Sequence, residues 1–292
     1  TYARGDFVYI RGYDNGKRFT DKIRYSPTFF VPSKKESKYK TVHGKFVEPI
    51  EQESIRQARN FLKMYDDVDG FTIYGSDAYA YTCLNEHFGK DYDIDRIRVA
   101  NIDIEVASED GFPEPDLANQ EITAITIKYK NTFFAFGTGD FVTDRDDVKY
   151  LKCANEKTLI QLFLSLWQKI DVDIITGWNV TFFDIPYLYN RISRLFDEEI
   201  ASKLSPLGFA YPRQVTIMNR EQTRIDLAGI CVLDYLELYK KFTYSNQESY
   251  RLDHIASVEL GEKKIDYSEY STLHQLYKLD YQKFIEYNIR DV

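Results

Sequence analysis

The chain has 292 residues, 43% of them hydrophobic and 29% charged, with a formal net charge of −8. This is a soluble globular composition, enough for one large domain or two ordinary ones. It has no apolar run near the ~20 residues that span a bilayer, and its acidity argues against gripping nucleic acid by bulk charge, though not against a local groove. Aromatics reach 16%, with 24 Tyr and 20 Phe, residues that fill cores and also stack on bases. The three cysteines, Cys83, Cys153 and Cys231, lie far apart with no zinc or disulfide spacing. They fit a reducing compartment, and no signal peptide precedes them, so a cytoplasmic protein is expected. The first residue is Thr1, not Met, so a trimmed start is expected.

Residues 1–96 read as a first, mixed α/β unit. Asp6–Tyr13 and Lys17–Tyr25 alternate as strands around the turn signal Asn15-Gly16. Ser26–Pro32 reads as extended. Ser33–Lys45, with five Lys, is either a solvated loop or a phosphate-facing one. Glu51–Tyr65 has helical spacing, and Gly70–Tyr74 reads as a further strand. No catalytic constellation stands out here.

The charged junction Asp91–Arg96 opens a second unit, 97–292. Arg98–Val106 has a period of two: Ile102, Ile104 and Val106 face one way, Asn101, Asp103 and Glu105 the other. Two carboxylates side by side on a strand are costly to bury without a cation between them. An acidic, solvent-exposed edge strand fits the same pattern. Next comes Ser108-Glu109-Asp110-Gly111-Phe112-Pro113-Glu114-Pro115, a stiff protruding loop. Its Phe112 is either a packing anchor or a wedge for a base.

Glu121–Tyr129 and Thr132–Gly137 continue a meander. Asn155 caps a helix with an apolar stripe over Thr158–Ile170, and Val172–Thr176 is a short buried strand. Three strands, a helix, a strand and further helices, with an acidic pair on the first strand, is the order of a ribonuclease H-like fold. Asp184, two residues before Pro186, suits either a helix start or a ligand. Asn179 suits a loop that bonds its own backbone. Tyr287 and Asp291 share one face of a last helix over Asp280–Asp291, flanked by Phe284 and Asn288. Alone, that pair is an ordinary Tyr–Asp contact.

Taken together, Asp103-Ile104-Glu105, Asn179-Val180-Thr181-Phe182-Phe183-Asp184 and Tyr287-Asn288-Ile289-Arg290-Asp291 resemble the three motifs of the 3′–5′ proofreading exonuclease domain of family B DNA polymerases. Glu286 stands where a related subgroup has His, which favours the version with Tyr in the third motif. The stretch around Asn101–Glu105, the Phe112 loop, and Leu233-Asp234-Tyr235 with Leu238–Phe242 resemble the replicative polymerases of T4-like bacteriophages. The likeness is good from Arg98 to Val292 and weak before it, where residues 1–96 would be part of the amino-terminal domain.

The resemblance implies hydrolysis of a phosphodiester with two divalent ions ~3.5–4 Å apart. It implies Asp103 as bridging ligand, Glu105 and Asp291 on the water-activating ion, and Asp184 on the second, chiefly through water. Mg2+ suits such oxygen ligands, and Mn2+ should substitute. Tyr287, with an ordinary pKa of ~10, would orient the attacking water rather than deprotonate it. Lys264, beside Lys263, matches a lysine motif near the scissile phosphate; a surface lysine fits equally. Asn179 would meet the substrate strand and Phe112 an unpaired base, while Phe183 is either core or a second stacking surface. Arg213–Ala228 reads as two short strands around Asn219–Gln222. In the family a hairpin here helps part primer from template, and Arg220 and Arg224 would meet phosphate.

No polymerase palm motif occurs, and the sequence ends just after Asp291 in a helical pattern, which reads as a cut. The expected partners are a single-stranded DNA 3′ end and primer–template DNA. RNA at the amino-terminal unit, the remaining polymerase domains, a sliding clamp and a host cytoplasm follow from the resemblance. Competing readings are a single-stranded nucleic-acid binding module without cleavage and an RNA-specific nuclease of the same fold.

Overall fold

The computed structural model describes residues 1–292 except 67, 89–91, 110, 218, 263–264 and 267. The chain divides into two units, Thr1–Asp93 and Ile94–Val292.

In the first unit, β1 (Tyr2–Arg4), β2 (Phe7–Asp14) and β3 (Lys17–Arg24) form one antiparallel sheet. Asn15 and Gly16, both at positive φ (46° and 80°), turn β2 into β3, the geometry a two-residue hairpin needs. A second sheet has the order β4 (Thr28–Pro32), β6 (Phe46–Glu51), β5 (Tyr39–Lys40). Helix α1 (Ile55–Tyr65) starts where the Ser54 side chain accepts from the Gln57 N–H, so Glu51 belongs to β6 and not to the helix. Helix α2 is Tyr79–His87. The expected strand at Gly70–Tyr74 is instead a single bridge of Tyr74 to Phe30, because Gly70 turns the chain at a φ of 77°.

The second unit is built on six strands in the order β10-β9-β8-β7-β11-β14. These are β7 (Val99–Val106), β8 (Ile122–Tyr129), β9 (Thr132–Gly137), β10 (Val148–Lys152), β11 (Ile174–Gly177) and β14 (Cys231–Asp234). β7, β8 and β9 are the expected antiparallel meander; β10, β11 and β14 run parallel to their neighbours. Between them lie α3 (Glu156–Ile170), α4 (Asp184–Leu195), α5 (Glu198–Ala201) and the hairpin β12 (Ala210–Ile217) and β13 (Arg220–Leu227). The hairpin strands are longer than the sequence indicated, and Arg220, Glu221 and Gln222, expected in the turn, belong to β13. Then follow α6 (Tyr235–Phe242), α7 (Leu252–Leu260), α8 (Leu273–Leu279) and α9 (Tyr281–Asp291).

Alternation along the central strands assigns the two faces. Ile102, Ile104, Ile125 and Ile127 pack with α3 and α4. Ala124 and Ala135 face the other way, and their small side chains let Phe284, Ile285 and Ile289 of α9 lie close to the sheet. β8 is therefore buried on both faces, and the acidic side of β7 looks toward α9 rather than into solvent. A mixed sheet with helices on both faces is the ribonuclease H-like arrangement.

Candidate active site

Three carboxylates from two distant stretches converge beside the centre of the sheet. Asp103 and Glu105 project from β7 on the α9 side, and Asp291 comes from the last turn of α9. One oxygen from each lies within 4.8 Å of the others. Glu105 is buried, 8% exposed, and the other two are half-buried. Three like charges at this spacing and burial repel one another unless a cation neutralises them. Hard oxygen donors from carboxylates are the donor set that Mg2+ or Mn2+ takes, so these residues fit such an ion. Tyr287, four residues before Asp291 and one helical turn away, is also buried, 6% exposed.

Asp184 is placed differently. It is the first residue of α4, 3% exposed, and its Oδ1 accepts from the Ile104 N–H at 3.0 Å. Its carboxylate therefore sits on the β7 backbone between Asp103 and Glu105, outside the group of three. Burial pushes this carboxyl up to about 7, against the lowering effect of the Ile104 N–H; the nearby Asp234 charge pushes the same way as burial.

The loop between β11 and α4 is set by two features. A Cβ on Gly177 would lie 2.5 Å from the Ile102 carbonyl oxygen, so only glycine lets the chain leave β11 flush against β7. Asn179 then takes a left-handed φ of 65°, which Asn tolerates. Asp234 holds this loop: its Oδ1 accepts from the Asn179 N–H at 3.0 Å and its Oδ2 from the Thr181 N–H at 2.9 Å. Oδ1 also accepts from the Leu236 N–H, capping α6. Sequence reasoning missed this role; the signal for it was an Asp directly ahead of an amphipathic helix.

A second missed residue is Asn288. It is fully buried, donates from Nδ2 to Asp103 Oδ2 at 2.7 Å, and accepts from the Thr126 hydroxyl at 2.5 Å. Sequence placed it only beside the Tyr287–Asp291 face.

The residues expected to meet nucleic acid lie on the Phe112 loop, on the segment between β11 and α4, and on the β12–β13 hairpin. Phe112 is 81% exposed, its ring 5.7 Å from that of Phe183, which in turn lies 5.9 Å from Tyr187. Phe183 is half-buried and packs on the core, so it joins the loop to the sheet. Asn179 and Arg220 line a groove of about 790 Å³ with Phe182, Thr223 and Lys240. Arg224 is exposed less freely: its Nε donates to Asp226 at 2.9 Å, and Arg213 takes the other oxygen of the same carboxylate. Lys264 lies outside the described residues.

The Phe112 loop is held by α4. Arg191 makes a two-pronged pair with Glu156, both bonds 2.7 Å, and donates to the Ala118 and Asn119 carbonyls. Asn190 donates to the Pro115 carbonyl and Tyr187 to that of Gln120. The helix that begins at Asp184 is thus also the frame of the loop that carries Phe112.

Residues 72–255 match the family model described as DNA polymerase family B, exonuclease domain. The chain belongs to that family. It is 36% identical to the DNA-directed DNA polymerase of Escherichia phage RB69 over 99% of this chain and 35% of that protein. It is 32% identical to the DNA-directed DNA polymerase of Enterobacteria phage T4, over 96% of this chain and 34% of that one. The DNA polymerase catalytic subunit of Alcelaphine herpesvirus 1 is 28% identical over 58% of this chain and 17% of its own length. The chain thus spans about a third of the phage relatives it matches. Tyr287 and Asp291 lie beyond the stretch matched by the family model, and the fold brings them to the site. No helix among the described residues is long and apolar enough to cross a membrane.

Proposed function

We propose that residues 94–292 form a 3′–5′ exonuclease that removes nucleotides from single-stranded DNA ends, the proofreading portion of a replicative DNA-directed DNA polymerase. The observation that carries this reading is the convergence of Asp103, Glu105 and Asp291 within 4.8 Å. A protein that only binds a phosphate backbone gains nothing from three carboxylates beside it.

Asp103, Glu105 and Asp291 would hold a divalent ion, and Asp184 would serve a second. Two such ions, when bound, supply an activated water and stabilise the leaving oxygen. The protein's own groups do the rest. Tyr287 orients the water by a hydrogen bond, since a phenol is a poor base at neutral pH. Asp184 fixes the β7 backbone between the two strand carboxylates. Phe112 stacks on a base at the end of the strand, and Asn179 and Arg220 bind the strand along the groove.

The partners under this reading are a single-stranded 3′ end and primer–template DNA, in the cytoplasm of a host cell. DNA synthesis and contact with a sliding clamp would fall to a longer protein that includes this chain, and RNA would be a further ligand of residues 1–96.

Digestion of a 5′-labelled single-stranded oligonucleotide with Mg2+ tests the reading. The expected result is a ladder that shortens from the 3′ end and is abolished by EDTA and by Asp103→Ala. Tight binding without cleavage would leave a single-strand binding module instead.

A further inference from the structure

Asp103 and Thr126 lie directly opposite each other on β7 and β8, and both project toward α9. The amide of Asn288 fills the space between them. A carboxylate only accepts hydrogen bonds, so the Asn288 NH2 must face Asp103 and its oxygen must face Thr126. The Thr126 hydroxyl donates to that oxygen and locks the amide in this sense. Thr126 and Asn288 are both fully buried, so water does not compete for these bonds. The neutral amide matters electrically. A lysine or arginine at this place would hold Asp103 equally well but cancel the negative charge that attracts a cation. One further bond, from the Asn101 Nδ2 to the Val292 carbonyl at 3.1 Å, ties the end of α9 to the same strand.

We propose that Thr126 and Asn288 are a positioning relay for Asp103. They fix the plane of its carboxylate and the distance between β7 and α9, and so bring Asp103, Glu105 and Asp291 together before any ion arrives. The relay rests on the exonuclease reading, because it gives a purpose to the geometry of that cluster. Partners that orient a ligand from behind typically change metal affinity or activity by ~10–100-fold when removed.

Mn2+ binding to the whole chain, followed by the electron paramagnetic resonance signal of free Mn2+, reads the relay without any turnover. Asn288→Leu keeps the branched shape of the side chain and removes both bonds; it should weaken Mn2+ binding by ~10–100-fold. Thr126→Val releases only the amide and should weaken binding by less, and Thr126→Ser should regain most of that loss. The double variant should be no weaker than Asn288→Leu alone, since the two residues act as one unit. Thermal unfolding is followed in parallel. If Asn288→Leu fails to fold, Thr126→Val and Thr126→Ser decide the matter. Wild-type Mn2+ affinity in folded Asn288→Leu and Thr126→Val, with binding abolished by Asp103→Ala, would overturn the relay and leave the exonuclease reading standing. A wild-type chain that binds no Mn2+ would overturn both.

Discussion

The carboxylate of Asp184 is bonded at 3.0 Å to the backbone N–H of Ile104, the residue between Asp103 and Glu105. Two motifs separated by some eighty residues are therefore joined through one backbone amide. Removing the acceptor leaves a buried N–H unpaired, which costs about 1–3 kcal/mol. Asp184→Ala should then lower stability as well as activity, whereas Asp184→Asn, which keeps an acceptor, should lower activity without lowering stability. Urea unfolding beside the oligonucleotide assay separates the two effects.

The same residue predicts a pH dependence. Its folded carboxyl ionises near pH 7, raised by burial from the ordinary 3.8. Between those values the folded chain holds a proton that the unfolded chain has lost. The stability contributed by this group is full below the ordinary carboxylate pKa and is lost as pH rises through 7. In EDTA, Asp184→Asn should melt above wild type at pH 8, with the gap narrowing toward pH 5. Each pKa unit is worth about 1.4 kcal/mol, so the effect is a few kcal/mol at most. Differential scanning fluorimetry at the two pH values measures it; a wider gap at pH 5 would contradict it.

Phe112 should act on the substrate and not on the fold. It is 81% exposed, so Phe112→Ala removes little buried area. Stacking on one base is worth about 1–3 kcal/mol. The variant should keep its melting temperature and bind single strands roughly 5- to 150-fold more weakly, by fluorescence anisotropy of a labelled oligonucleotide.

Arg191 should act on the fold. Its pair with Glu156 is nearly enclosed, with side-chain exposures of 10% and 9%. Arg191→Met strands a buried carboxylate and should cost about 3–5 kcal/mol in urea unfolding. The double change Arg191→Met with Glu156→Gln should recover part of that loss, because no charge is then left unpaired.

Tyr287→Phe removes a hydroxyl and nothing else from α9. Under the water-orienting role its kcat should fall about 10-fold or more, with little change in KM or in Mn2+ affinity. Misplacing a reacting group by about 1 Å can cost ~10²-fold. An unchanged kcat would remove Tyr287 from the chemistry.

Much of the second unit was legible in sequence because its signals are local. The period of two over Arg98–Val106 found β7 and the sidedness of Asp103 and Glu105. The capping Asn155 and the apolar stripe after it found α3. Tyr287 and Asp291 shared a helical face by spacing alone. What was not legible depends on partners far along the chain. Asn288 looks like any polar residue in an amphipathic helix until Thr126 and Asp103 arrive from the sheet. Asp234 looks like a helix cap, and only the fold shows that its carboxylate also holds Asn179 and Thr181. The parallel strands β10 and β14 are short and lack clean alternation, so periodicity passed over them. Arg224 was expected to meet phosphate; only the fold shows that it pairs with Asp226 and shares that carboxylate with Arg213 across the hairpin.

The central claim is that Asp103, Glu105 and Asp291 are a divalent-cation centre. Crystals of the chain soaked in Mn2+, with diffraction recorded at the manganese absorption edge, test it most directly. The account predicts an anomalous peak among those three carboxylates, lost in Asp103→Ala. No peak there, in crystals whose side chains match the geometry described, would contradict it.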